Sequence, residues 1–189
     1  SLGPSKHENV RTAPARIGRL IVRVSPWLGA RYAATLRAGV VTYRCVIGRS
    51  GLTLRKREGD GASPAGVFSL REWRFQPARP GFPRGALSAR TIRRDDGWCD
   101  DPDCGAYNRQ VRLPFRGSHE TLWRSDGKYA VVGILDYNLS PRRKGAGSAI
   151  FFHLCDDDFS PTAGCVAVRA SDMRKLLPRI SKRIRIKIA

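Results

Sequence analysis

Ala149-Ile150-Phe151-Phe152-His153-Leu154 and Thr162-Ala163-Gly164-Cys165-Val166-Ala167-Val168 are the two stretches that decide how this chain folds. The first is a short apolar run and reads as a strand. Asp156 to Gly164 reads as a loop, and Cys165 to Arg169 as a short extended segment. His153 stands twelve positions before Cys165. A strand can therefore deliver an imidazole beside a thiol held in a small Gly-containing turn. A cysteine is a strong nucleophile when its thiolate is favoured, and a nearby imidazole is the usual means. The backbone N–H groups of Gly164 and Cys165 are candidates for holding an oxyanion.

Outward from this pair, most of the chain reads as short strands separated by turns. Leu20 to Val24, Ala33 to Leu36, Val40 to Gly48, Val67 to Arg74 and Lys128 to Tyr137 fit that pattern, with Gly39 as a turn. Ser181 to Ile188 alternates basic and apolar residues, as a half-buried strand with a basic outer face does. Ser171-Asp172 is the best helix start, with either residue as N-cap, and Pro178 ends that helix. Pro77 to His119 shows little periodicity and reads as an irregular insertion. The class is mainly β, a sandwich with one or two short helices. Ser1 to Arg16 is polar and reads as a flexible tail, and residues 17–189 as one catalytic domain.

The 189 residues carry 35 Lys and Arg against 16 Asp and Glu, a formal charge of +19. Such a field favours anionic partners. The cations are scattered along the sequence, which weakens a nucleic-acid reading, and no nucleic-acid partner is expected. No apolar run approaches the roughly 20 residues of a membrane span, and Ser1 to Arg16 lacks the apolar segment of a secretory signal. The five cysteines are an odd number, leaving at least one free thiol. Cys99 and Cys104 are spaced to close a small disulfide loop, and Cys45 and Cys155 read as small buried hydrophobes. No metal site is expected, because no second close Cys/His pair accompanies Cys99 and Cys104.

His153 after its apolar strand, with Thr162-Ala163-Gly164-Cys165-Val166, resembles the active-site signature of the L,D-transpeptidase (YkuD-like) family. Gly48-Arg49, and Gly59-Asp60-Gly61-Ala62-Ser63-Pro64-Ala65-Gly66-Val67-Phe68, look like that family's upstream elements. Asp96 to Pro102, Tyr107-Asn108, Ser118-His119-Glu120, Leu122-Trp123 and Tyr137-Asn138 resemble a branch of short proteobacterial members. The resemblance runs from about Arg19 to the C-terminus. Two positions depart from it: Ala163 stands where the family usually has His, and Ala167 where it has Arg, leaving Arg169 as the nearest substitute.

The resemblance implies a YkuD-like β-sandwich at the cell envelope or in the periplasm, working without a cofactor. Cys165 is then the nucleophile, His153 the base, Gly164 an oxyanion donor, and the carbonyl of Leu154 the group that orients His153, with the side chain of Asp156 or Asp157 as the alternative. The donor is a peptidoglycan stem tetrapeptide, cut after diaminopimelate with release of D-Ala. The acceptor is an amine of a second stem or of an envelope protein. Thr162, Arg169, His119, Tyr137, Asn138 and Trp98 are candidate substrate contacts, although aromatics more often pack in cores. Water as acceptor would make the same fold a carboxypeptidase or amidase. A non-catalytic basic module binding wall polymer or nucleic acid is the remaining alternative.

Overall fold

A computed structural model describes residues 15–189 except Pro26, Leu28 and Pro80. Most of the expected tail lies outside the described residues. The strands are β1 (Ile17–Val24), β2 (Ala33–Ala38), β3 (Val41–Val46), β4 (Leu52–Thr53), β5 (Ser63–Pro64), β6 (Gly66–Phe75) and β7 (Ala89–Thr91). They continue with β8 (Asp96–Cys99), β9 (Gln110–Arg112), β10 (His119–Thr121), β11 (Val131–Leu135), β12 (Phe151–Leu154), β13 (Val166–Val168) and β14 (Ile180–Ile188). The fold is mainly β and sandwich-like, with one short helix, α1 (Ala170–Leu176).

The large sheet runs β11-β12-β13-β3-β2-β1-β14-β6-β7, and β11 also pairs with β6. Hydrogen bonding therefore passes round a circuit that closes at β6. That strand is long enough to hold β14 along Gly66–Ser69 and β11 along Leu70–Phe75. Alternation explains the outer strands. In β14, Ile180, Ile184, Ile186 and Ile188 are buried while Arg183 and Arg185 face water. They join Leu20, Val22, Leu36, Trp73, Phe152 and Met173 in the main core, each such side chain contributing roughly 1.5–3 kcal/mol by leaving water.

Strands β11 and β12 are buried on both faces, so β11 reads as a continuous apolar run and β12 as one interrupted by His153, rather than alternating. Phe152 and Leu154 enter the main core, whereas Phe151 enters a second core with Ile92, Trp98, Leu122, Tyr129, Val132 and Ile134. Cys165 belongs to this second core. His153 shares parity with Phe151, which places it on the same side as the thiol.

Two expectations need correction. The insertion is not irregular throughout: β10-β8-β9 form a three-stranded antiparallel sheet. Strands of three or four residues are too short to show a period, and β8 is buried along its whole length. The cap of α1 is Arg169, without a side-chain bond, and Ser171 and Asp172 lie inside the first turn. There the Asp172 carboxylate still faces the positive end of the helix. As expected, α1 ends just before Pro178, at Leu176, and the proline sits in the single 3₁₀ turn Leu177–Arg179 that follows.

Candidate active site

The turn before Cys165 is pinned from below. Thr162 bridges to Gly48: Thr162 N–H donates to Ile47 O at 3.0 Å, and Arg49 N–H donates to Thr162 O at 2.9 Å. Ser63, fully buried, accepts from Gly48 N–H at 2.9 Å and donates to Gly164 O at 2.7 Å. Gly164 has φ +152°, and a Cβ there would lie 2.9 Å from Ala62 O. Only glycine lets the two backbones approach so closely.

The Cys165 thiol donates to Ala149 O at 3.2 Å and accepts the N–H of Phe151 at 3.3 Å. Ala149 is held in the left-handed region, φ +52°. Its N–H donates to Asn108 Oδ1 at 3.0 Å, which also accepts from Trp98 Nε1 at 2.9 Å. Asn108, buried and itself left-handed, thus ties the insertion to the carbonyl that receives the thiol. Its sequence signal was the Tyr107-Asn108 pair, but no pattern distinguished a buried amide from a loop residue.

His153 Nδ1 lies 2.8 Å from Leu154 O. A carbonyl only accepts, so Nδ1 carries the proton and Nε2 keeps its lone pair. The ring packs edgewise against Tyr129, centroids 5.1 Å apart. Tyr129 donates through its hydroxyl to Glu120, whose two carboxylate oxygens lie at 3.2 and 3.1 Å.

Burial dominates the electrostatics. It pushes the Cys165 thiol up to about 12, with the Glu120 charge adding to the rise, and pushes His153 down to about 4. At rest the two groups, which line one cavity, are therefore a neutral thiol and a neutral imidazole, not an ion pair. Burial also raises Glu120 to about 7, against the opposing effects of Tyr129 and Arg124.

Cys165 lies where two cavities meet. One, of about 170 Å³, is lined by His153, Tyr129, Arg124, Lys128 and Thr162; the other, of about 110 Å³, by Arg49, Lys56, Glu58, Asp100 and Ser148. Glu120 and Ala163 border both.

A family model of the L,D-transpeptidase catalytic domain, YkuD, matches residues 27–188. The chain belongs to the YkuD family. Among solved structures, one titled "Structure of Bdellovibrio bacteriovorus Bd1075" is similar, with a TM-score of 0.46 and 18% identity. The match covers 92% of this chain and 48% of that one, so this chain spans about half its length. No curated protein matches the chain.

The remaining candidates of this YkuD domain are distributed differently from the sequence reading. Gly164 N–H donates to Thr162 Oγ1 at 3.1 Å and is not free for an oxyanion. No acceptor takes the Cys165 N–H among the described residues. Thr162 lines the larger cavity, but its hydroxyl is spent on Cys165 O at 2.6 Å. Arg169 lies over the Phe159 ring beside Asp172 and borders neither cavity, because it caps α1. His119 Nδ1 lies 2.8 Å from Gly117 O, and its ring packs on Phe115. Its neighbour on β10, Glu120, reaches the site instead, since adjacent strand residues face opposite ways. Trp98 is a core residue packed on Phe151. Asn138 pins its own loop through Arg143 and Gly147. Tyr137 walls a separate groove.

All five cysteines are free. Cys99 and Cys104 are close enough for their thiols to interact. Cys45 is buried in β3, and Cys155 is half-buried just after β12. No helix among the described residues is long and apolar enough to cross a membrane.

Proposed function

We propose that this YkuD domain is a cysteine acyltransferase of the cell envelope, acting on peptidoglycan stem peptides. The observation that carries the reading is Cys165 at the junction of two cavities, one of them lined by His153, whose Nε2 is left as the basic ring nitrogen. Two openings to one thiol suit a donor on one side and an acceptor on the other.

With both groups neutral at rest, the proton moves as the bond forms. His153 Nε2 takes the thiol proton while Sγ attacks the carbonyl carbon of diaminopimelate. The Cys165 N–H stabilises the oxyanion, and removing one such donor in related chemistry costs about 3 kcal/mol. The imidazolium then gives its proton to the departing D-Ala amine, leaving a thioester on Cys165. An acceptor amine attacks that thioester, its proton passes to His153, and the expelled thiolate is reprotonated from the same ring. The acceptor is the side-chain amine of a second stem or an amine of an envelope protein.

The test is intact-protein mass after carbapenem treatment, with products of stem tetrapeptide turnover weighed in parallel. A single adduct on Cys165, lost in Cys165→Ala, and joined stems among the products are expected. Hydrolysed stems alone would replace the amine with water as acceptor. A folded protein that forms no adduct at any concentration overturns the thiol mechanism.

A further inference from the structure

A further concavity lies away from the thiol. A groove of about 530 Å³ runs between residues 53–57 and residues 143–146, with Pro64, Ala65 and Tyr137 as its remaining wall. Five cations border it: Arg55, Lys56, Arg57, Arg143 and Lys144, and no carboxylate does. Lys56 is paired with Asp60 at 2.5 Å. The other four are exposed and make no ion pair among the described residues. Cations scattered in sequence thus converge in space.

The groove is built, not a chance gap. Glu58 N–H donates to Gly145 O at 2.8 Å, tying its two sides together. Tyr137 Oη donates to Ala146 O at 2.5 Å, and Asn138 holds both Arg143 and Gly147 backbones. Gly147 approaches Lys56 so closely that a Cβ would lie 2.8 Å from its Cγ. Rigid walls mean little ordering cost when a ligand enters. The groove shares Lys56 as a wall with the 110 Å³ cavity at Cys165.

We propose that this groove binds the carboxylate-bearing part of an acidic peptide, whose reacting carbonyl then passes Lys56 to reach Cys165. The peptide's identity as a stem rests on the acyl-transfer reading above; the groove's preference for carboxylates does not. Guanidinium groups match carboxylates in planar, paired hydrogen bonds, and three of the four exposed cations are arginines. A nucleic acid is the poorer fit. Single strands are held by a cationic groove combined with a series of aromatic faces on which successive bases stack, and this groove offers one aromatic, Tyr137.

The experiment is calorimetric binding of a stem tetrapeptide, and of the same peptide with its carboxylates amidated, to the whole protein. We expect amidation, and separately Arg143→Glu with Lys144→Glu, to weaken binding at least tenfold, as does raising the salt. The milder Arg143→Gln with Lys144→Gln should weaken it less. Alkylation of Cys165 by iodoacetamide at pH 9 should stay within about twofold in each variant, showing an intact fold and thiol. Equal affinity for both peptides, or no effect of either variant pair, overturns the proposal. So does an oligothymidylate that binds as tightly as the tetrapeptide. Turnover that survives Cys165→Ala would overturn the thiol mechanism while the binding series still decides the groove.

Discussion

The Cys165 thiol donates to the carbonyl of Ala149 across 3.2 Å, so in the resting protein it is a proton donor, not a thiolate. Burial raises it to about 12 and lowers His153 to about 4. Alkylation by iodoacetamide follows the thiolate fraction. Read at the Cys165 peptide by mass, its rate should climb about tenfold per pH unit from pH 7 to 10 without a plateau. His153→Ala should change this rate less than about threefold, yet slow acyl transfer 10²–10⁴-fold, the range of a lost general base. A plateau below pH 7 that His153→Ala abolishes would mean a resting ion pair instead.

Glu120 supplies a second lever on the same thiol. After burial, its charge is the next cause of the raised Cys165 value. The groups acting on Glu120 are Tyr129, Arg124, Asp100 and Glu58. Above pH 8 Glu120→Gln removes a negative charge beside Cys165, and alkylation should quicken several-fold. Below about pH 6 Glu120 is already protonated, so variant and parent should converge. Equal rates at every pH would show that the carboxylate does not reach the thiol electrostatically.

The way these residues hide in the sequence has physical causes. His153 and Cys165 were legible because an apolar strand and a Gly-Cys turn are local patterns, as was β14 with its alternating Ile and Arg. Glu120 follows His119 in the sequence, but choosing between neighbours on a strand needs its parity, and β10 is three residues long. Arg169 fell away because whether its residue caps a helix depends on where α1 begins. The closure of β6 on β11 joins residues about 60 apart, and no local pattern records it. The cationic groove has the same origin: residues 55–57 and 143–144 meet only through that folding.

Ser63 should matter to the nucleophile although it lies about a hundred residues before it. Its hydroxyl links Gly48 N–H to Gly164 O in a fully buried position. Ser63→Ala leaves both groups without that partner, at a cost of about 1–3 kcal/mol. Gly164→Ala forces a Cβ against Ala62 O at a backbone angle that disfavours side chains, for about 1–3 kcal/mol more. Urea unfolding should show both losses. Unchanged midpoints would mean that the turn relaxes without them.

His153 and Glu120 give the site opposite pH dependences. His153 drops from an ordinary 6.5 to about 4 on folding, so the unfolded chain binds the extra proton between those values. Its contribution is complete above pH 6.5 and is lost as the pH falls towards 4, on the order of 3 kcal/mol. Glu120 rises from 4.5 to about 7, so the folded chain binds the extra proton. Its contribution is complete below pH 4.5 and is lost as the pH rises towards 7. Between pH 4.5 and 6.5 the two slopes have opposite signs and cancel. The parent protein should therefore show a nearly flat unfolding midpoint across that window. Glu120→Gln should leave a midpoint that falls as pH drops from 6.5 to 4, and His153→Gln one that falls as pH rises from 4.5 to 7. Parallel curves for all three proteins would mean that neither group changes its proton affinity on folding, and the neutral, buried pair on which the proposed proton transfer depends would have to be abandoned.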